Sequence, residues 1–376
     1  MEKDLVLAIW NKVQGISDLD WSEIAEQFHL SMHPDTLRKA GVGIKMAADA
    51  GMLAVTNYRD QYVAKKQFFD QRREYNAVLA KEARAENLAE YLREAADRLN
   101  DIVPMLDESI AISTNHGDNE AVLVLTDWHY GMLADNVWNK YNINICRQRV
   151  ELLREKVLER LLLNEVSVLH VLVLGDMANG AIHVTSRVAA EENVVDQLMQ
   201  VSEMIAELIN DLANAVKYTQ VYCTYGNHMR TIQNKKDSIH VDNMERIIPW
   251  WLNERFKTRD DIVVCETGRD EMLRAVVCGN EVCGIHGDLD GGKDAALALS
   301  QMYERAYGRK MQYLFSGHLH SIMDTENYGI TSIRAGGLCG TDEFAKNARL
   351  FSTPSQTLAI FGPGGLDALY HIKLGG

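Results

Sequence analysis

No stretch of the 376-residue sequence approaches the roughly 18 consecutive apolar residues that a membrane-spanning helix needs, which argues against an integral membrane protein built of helices. The opening, MEKDLVLAIW, lacks the cationic start and long apolar core of a signal peptide. No Cys-x-x-Cys occurs, and Cys146, Cys223, Cys265, Cys278, Cys283 and Cys339 are scattered. That pattern reads as reduced core thiols in a cytoplasmic protein. Positive charge is in deficit: a formal net charge of −14 at pH 7 argues against non-specific coating of nucleic acid by the whole molecule, while leaving room for a local basic face. Neither proline nor glycine occurs from Val55 to Val103, so nothing there breaks a helix.

The chain is long enough for more than one domain. Residues 1–55 read as a small helical module. Leu5–Val13 is amphipathic, and Asp20 is placed to cap a helix starting at Trp21, with Glu23 as its capping-box partner. After a break at Leu30–His33, Pro34 stands in the first turn of a helix that runs to about Ala50 and carries Arg38, Lys39 and Lys45. Two helices joined by a short turn, the second bearing cations, follow the pattern of a helix-turn-helix DNA-binding module. A three-helix docking or dimerisation unit would read the same way.

Residues 56–117 read as a long helical linker, with Tyr75, Val78, Leu79, Leu88, Tyr91, Leu92 and Leu99 at helical spacing. Between Asp35 and Arg84 there are ten Lys/Arg against six Asp/Glu. Such a face can track a phosphate backbone or simply be solvated and laced with i,i+4 pairs. Its heptads are too irregular to set a stoichiometry, so a homo-oligomer through this helix stays open.

Residues 118–376 alternate short apolar runs with helical stretches, which argues for a parallel or mixed sheet covered on both faces. Ala121–Leu125 is too short for a useful helix and reads as a buried strand. Asp127 and His129 follow it, two apart. Val168–Leu174 runs into Gly175–Asp176, Val221–Tyr225 into Gly226–Asn227–His228, Glu281–Ile285 into His286–Gly287–Asp288, and Tyr313–Phe315 toward Gly317–His318–Leu319–His320. Carboxyl ends of strands are where an α/β sheet places its ligands, and carboxylates with imidazoles on such loops can share a metal ion. One Asp-x-His is weak evidence; five strand-ends of this kind in order are not.

This ordered set, Asp-x-His, Gly-Asp, Gly-Asn-His, His and Gly-His-x-His, resembles the calcineurin-like metallophosphoesterases, from roughly Asn119 to the C-terminus. In style it is similar to DNA-repair nuclease subunits and phage-type members with an N-terminal helix-turn-helix, which would place it in the host cytoplasm if phage-encoded. The resemblance implies an α/β fold, a four-layer α/β/β/α sandwich, here preceded by an all-α module and a long helical linker. It also implies two divalent ions, one held by Asp127, His129, Asp176 and His320, the other by Asp176, Asn227, His286 and His318, with Asp176 bridging. The mixed nitrogen and oxygen donors suit Mn²⁺, Fe²⁺ or Zn²⁺ better than Ca²⁺; family habit puts Mn²⁺ first, with Mg²⁺ also compatible. The nucleophile would be a metal-bridging hydroxide. His228, by the same resemblance, meets the phosphate and stabilises it or protonates the leaving group.

One departure stands out. Many members follow Gly-Asn-His with Asp or Glu, whose carboxylate can orient the histidine; here Met229 and Arg230 follow. Asp288 and Asp127 are candidates to replace it, and Arg230 could grip phosphate bidentately. His183 and Arg187, after the Gly175–Asp176 loop, could line the substrate cleft. Lys235–Lys236 and Trp250–Trp251 could form a stacking and charge channel for nucleic acid, although a tryptophan pair on a helix is more often half core.

The function this supports is a two-metal phosphodiesterase on nucleic acid, a DNA nuclease, with DNA as partner and no membrane. The alternative is a phosphodiesterase or phosphatase on small nucleotides or phosphoproteins, its N-terminal module docking a protein. A scaffold on a retired site is disfavoured, since a costly polar cluster with no use would be expected to erode.

Overall fold

The computed structural model describes residues 2–50, 66, 70–73, 90–106, 117–182, 190–232, 234, 240–265, 271–291 and 294–375. Most of the expected long helix before residue 90, and the loop residues His183, Arg187, Lys235 and Lys236, lie outside the described residues. The chain divides into two compact units, Met1–Ala89 and Glu90–Gly376.

The first unit contains α1 (Glu2–Val13), α2 (Trp21–Gln27) and α3 (Pro34–Asp49). Asp20 caps α2: its side chain accepts from Ser22 and Glu23 N–H groups, and Glu23 returns a bond to the Asp20 N–H. The helix stops at His29, which takes a left-handed φ of 52°. Its N–H bonds to the Glu26 carbonyl while Leu30 N–H bonds back to Ala25, the paired closure of a Schellman turn. Pro34 then opens α3 at its first turn. Ile9, Ile24, Ala25 and Leu37 form the small core. Arg38, Lys39 and Lys45 remain exposed on α3.

In the second unit, period-two alternation sorts β1 (Asn119–Leu125) onto two cores. Ala121, Leu123 and Leu125 face helices, in one cluster, and Val122 and Val124 face a second sheet, in another. β4 (Val166–Val173) divides the same way, with Leu169, Val171 and Val173 on the helix side and Leu172 on the other. A strand buried on both faces reads as a continuous apolar run. Each fully buried Val or Leu contributes about 1.5–3 kcal/mol over exposure.

β2 (Ala134–Asp135) and β3 (Lys140–Tyr141) pair as a small separate ribbon. The first sheet has the order β13-β12-β1-β4-β5-β6, where β5 is Tyr218–Cys223, β6 Ile262–Val264, β12 Ser355–Gly362 and β13 Gly365–Lys373. β1, β4, β5 and β6 are parallel, and β12 returns antiparallel beside β1. The second sheet has the order β10-β11-β9-β8-β7, with β7 Leu273–Val277, β8 Asn280–Ile285, β9 Tyr313–Ser316, β10 Met323–Asn327 and β11 Ile330–Arg334. Helices Ile143–Leu163 and Val194–Ala213 cover the first sheet, and helix Ala295–Tyr307 covers the second through Leu299 and Tyr303. Helix, sheet, sheet, helix is the four-layer architecture that the resemblance implies.

A helix at residues 90–102 belongs to this second unit. Arg255, fully buried, donates to the Asn100 side chain and, at 3.0 Å, to the Val103 carbonyl. Arg259 donates to the Leu106 carbonyl at 2.6 Å. The C-terminal part of the segment read as a linker is therefore fastened to the catalytic unit.

Candidate metal centre

Five loops leave the carboxyl ends of β1, β4, β5, β8 and β9 and converge. In the first, Asp127 is held by its own neighbourhood: its Oδ2 accepts from Thr126 Oγ1 at 2.9 Å and from His318 N–H at 2.8 Å. The buried amide of Gln356 on β12 supports this loop, accepting from Thr126 N–H and Trp128 Nε1 and donating back to the Thr126 carbonyl. Asp127 Oδ1 accepts no hydrogen bond among the described residues, and neither does His129 Nδ1 find a partner. Oδ1 lies 3.3 Å from His320 Nε2 and 3.8 Å from His129 Nε2, and those two nitrogens are 3.1 Å apart.

The second half centres on Asp176. Its Oδ1 accepts from His228 N–H at 2.8 Å, and its Oδ2 is 3.1 Å from His286 Nε2. His286 Nδ1 sits 2.8 Å from the Leu174 carbonyl. A carbonyl only accepts, so Nδ1 carries the hydrogen and Nε2 is left to face Asp176 and, at 3.4 Å, Asn227 Oδ1. His318 stacks edge-on to His286, ring centroids 5.0 Å apart.

The backbone is bent to make this convergence. Asp127, His129, Asp176, His318 and His320 all take left-handed φ between 45° and 68°, a conformation that costs a non-glycine residue about 1–3 kcal/mol and persists where surrounding structure imposes it. The first two glycines of the motifs are there by necessity. A Cβ on Gly175 would lie 2.2 Å from Gly226 N, and one on Gly226 would lie 2.1 Å from Asp176 Oδ1.

The donors fit a pair of cations. Asp176, His286 and His318 offer ligand atoms within 4.8 Å of one another; so do His129, Asp176 and His228, and so do His129, His320 and Cys339. Asp176 belongs to two of these groups. A buried lone pair with no hydrogen to receive among the described residues, on Asp127 Oδ1, is costly unless a cation meets it. The electrostatics agree. Burial would raise the Asp127 carboxyl, yet His320 and His129 hold it well below the usual carboxylate range. Burial and then the neighbouring His228 push His129 down to about 4. Burial works against a charged His286, but the Asp176 carboxylate outweighs it and holds the imidazole up at about 10. These are paired charges that divalent ions can replace.

His228 donates Nδ1–H to the Asn179 carbonyl at 3.0 Å, which leaves Nε2 toward the centre. Its ring meets His129 at 4.4 Å between centroids. The partner of Nδ1 is thus a backbone carbonyl; of the two carboxylates considered for the task, Asp288 lies 3.8 Å from His240 Nε2, and Asp127 Oδ2 is engaged by Thr126 and His318. Arg230 turns its guanidinium onto the carbonyls of Asn227 and Ile232. With His228, Ile182, Val194, Met229 and Met244, it lines a cavity of about 320 Å³. Trp251 is buried and donates to Glu203, so it offers no face for a base to stack on; Trp250 is half-buried. Sequence reasoning missed Asn179, Gln356, Cys339, whose Sγ lies 3.7 Å from His320 Nδ1, and Glu245.

Residues 121–321 match the calcineurin-like phosphoesterase family, and the chain belongs to it: this is a metal-dependent phosphoester hydrolase. A SPbeta prophage-derived uncharacterized protein of Bacillus subtilis, YonJ, is 23% identical over 290 residues, covering 75% of this chain and 70% of that protein. Among solved structures, an archaeal phosphodiesterase is 12% identical, covering 67% of this chain and 99% of its own, with a TM-score of 0.34. Zinc-complexed Vps29 from Entamoeba histolytica is 14% identical, covering 68% and 99%, with a TM-score of 0.31. No helix among the described residues is long and apolar enough to cross a membrane.

Proposed function

We propose that this chain is a two-metal phosphodiesterase that cleaves DNA, with Mn²⁺ as its working ion. One observation carries the choice of DNA: a separate compact unit with an α2–α3 hairpin, its second helix exposing Arg38, Lys39 and Lys45, precedes the phosphoesterase unit. Small nucleotides need no such appendage, whereas a polymer with a charged backbone rewards one.

In this reading Asp127, His129, Asp176 and His320 hold one ion, and Asp176, Asn227, His286 and His318 the other. Bound ions supply Lewis acidity toward the phosphoryl oxygens and a water made acidic enough to attack at neutral pH. The chain's own residues do the rest. His286, fixed through Leu174, and Asp127, fixed through Thr126 and His318, present their donor atoms without reorganisation. His228, tethered through Nδ1, presents Nε2 to the phosphate and gives a hydrogen bond or a proton to the departing oxygen. Arg230, beside it, adds charge next to the substrate path.

The test is hydrolysis of a linear duplex, a single-stranded oligonucleotide and bis-p-nitrophenyl phosphate by the full chain with Mn²⁺, with Asp176→Asn as control. DNA cutting that is lost in the control supports the reading. Turnover of the small diester alone overturns the choice of DNA and favours a small-nucleotide or phosphoprotein substrate.

A further inference from the structure

The motif departure after His228 has a counterpart 16 residues further on. Glu245 sits in a short 3₁₀ turn, Met244–Arg246, and is 1% exposed. Among the described residues its carboxyl group takes hydrogen bonds from backbone only: Oε2 accepts from Asp176 N–H at 3.1 Å and from Gly226 N–H at 2.8 Å, and Oε1 accepts from Met177 N–H at 2.6 Å. The Asp176 and Met177 amides belong to the loop after β4, the Gly226 amide to the loop after β5. One buried carboxylate therefore pins two neighbouring metal-ligand loops together. The grip is itself held. Asn243 accepts the Glu245 N–H at 3.0 Å and donates to the Gly226 carbonyl at 2.7 Å, and Met244 N–H bonds to the Met229 carbonyl at 2.9 Å.

We infer that Glu245 is a positioning residue of the metal centre, its carboxylate fixing the separation of the loops that carry Asp176 and Asn227 so that both reach the same ion. The inference rests on the two-ion reading of the site. The physical case is geometric. Two parallel loops with glycines in van der Waals conflict range carry amides that point the same way, and their N–H dipoles converge on one spot. A carboxyl group there meets three buried donors at once with its two oxygens, and a buried donor left unmet is costly. A neutral side chain cannot: an amide at position 245 has one oxygen and would turn its NH₂ toward at least one of the three donors. The loops would then separate, and the bridging position of Asp176 relative to Asn227 would be lost.

The experiment titrates Mn²⁺ into metal-free full-length wild type, Glu245→Gln and Glu245→Asp by calorimetry, and measures kcat on bis-p-nitrophenyl phosphate across Mn²⁺ concentrations, with circular dichroism as the check on folding. Glu245→Gln should bind Mn²⁺ roughly 10–100-fold more weakly, the usual effect of losing an outer partner of a ligand, and excess Mn²⁺ should restore much of its kcat. Glu245→Asp, which keeps both carboxyl oxygens, should recover part of the affinity. Should Glu245→Gln fail to fold, Asn243→Ala loosens the same grip while keeping the carboxyl group, and should weaken Mn²⁺ binding in the same direction. A folded variant with wild-type Mn²⁺ affinity overturns the inference, and so does an activity loss that saturating Mn²⁺ leaves untouched. The number of ions bound by wild type reports separately on the two-ion reading, because the comparison of variant with wild type holds whatever that number is.

Discussion

Asp176 Oδ1 accepts the backbone N–H of His228 at 2.8 Å, so the residue expected to bridge two ions also sets the residue expected to meet the phosphate. The other oxygen, Oδ2, faces His286 Nε2 at 3.1 Å. Asp176→Asn can keep the first contact while replacing an anionic ligand atom by an amide. We expect near-normal folding, activity below detection and loss of bound metal, measured by turnover and by elemental analysis. Normal turnover would remove Asp176 from the centre.

His228→Ala should leave metal content close to wild type and lower kcat roughly 10²–10⁴-fold, the contribution of a placed general acid. Because His228 also shares a candidate ligand group with His129 and Asp176, loss of a bound ion in this variant would reassign it as a ligand. The Nδ1 tether to Asn179 makes His228→Gln a poor mimic, since it lacks a second ring nitrogen to hold the orientation.

Much of this centre is legible in the sequence because its candidate ligands sit at strand ends. An apolar run announces β1, β4 and β5, and the first polar residues past each run are the ones the fold gathers. Local rules also served where the physics is local: the Asp20–Glu23 capping box and the Pro34 helix start depend on residues three or four apart. Glu245 and Gln356 are invisible by the same logic. Glu245 meets Asp176 across 69 residues and Gln356 meets Thr126 across 230, and neither lies in a repeating pattern. Of the two readings of Trp250–Trp251, the half-core one describes the pair, because a helix turns successive residues about 100° apart, which sends Trp251 inward to Glu203 and leaves Trp250 half-buried. Helix Val194–Ala213 starts where it does because Asn193 caps it, its side chain accepting from the Val195 and Asp196 N–H groups.

Gly226→Ala tests the closeness of the two ligand loops. The added methyl would lie 2.1 Å from Asp176 Oδ1, with Asp176 backbone at 2.5 Å, and backbone cannot swing aside. Overpacking of this kind costs about 1–3 kcal/mol. We expect a lowered thermal midpoint together with weakened Mn²⁺ binding. A variant with unchanged midpoint and affinity would mean that the loops adjust freely.

Metal binding near neutral pH should release protons. In the metal-free protein His286 is held protonated up to about 10, burial opposing and the Asp176 carboxylate prevailing, and an imidazole must lose its proton to ligate through Nε2. Calorimetry in buffers of different ionisation enthalpy should show net release at pH 7, and Mn²⁺ affinity should fall as pH is lowered. The sign for stability runs the other way. A folded pKa above the ordinary 6.5 gives stability that is complete below pH 6.5 and lost as pH rises toward 10, so the metal-free protein should lose thermal stability across that window. Saturating Mn²⁺ should flatten the profile.

The boundary at Glu90 makes two truncations unequal. Removing residues 1–89 takes away one compact unit and leaves the other whole. It should spare hydrolysis of bis-p-nitrophenyl phosphate while weakening cleavage of DNA and reducing its salt dependence, because the cations of α3 go with the deleted unit. Removing residues 1–110 goes further. It strips Asn100 and the Val103 carbonyl from the buried Arg255, and the Leu106 carbonyl from Arg259. Each buried donor left without a partner costs about 1–3 kcal/mol, so this longer deletion should melt several degrees below the shorter one. Comparing the two by thermal unfolding and by diester turnover separates what the N-terminal unit does for substrate from what the 90–106 segment does for the fold. Equal melting would mean that water replaces the lost carbonyls, and unchanged DNA cleavage by the shorter deletion would assign residues 1–89 to a protein partner.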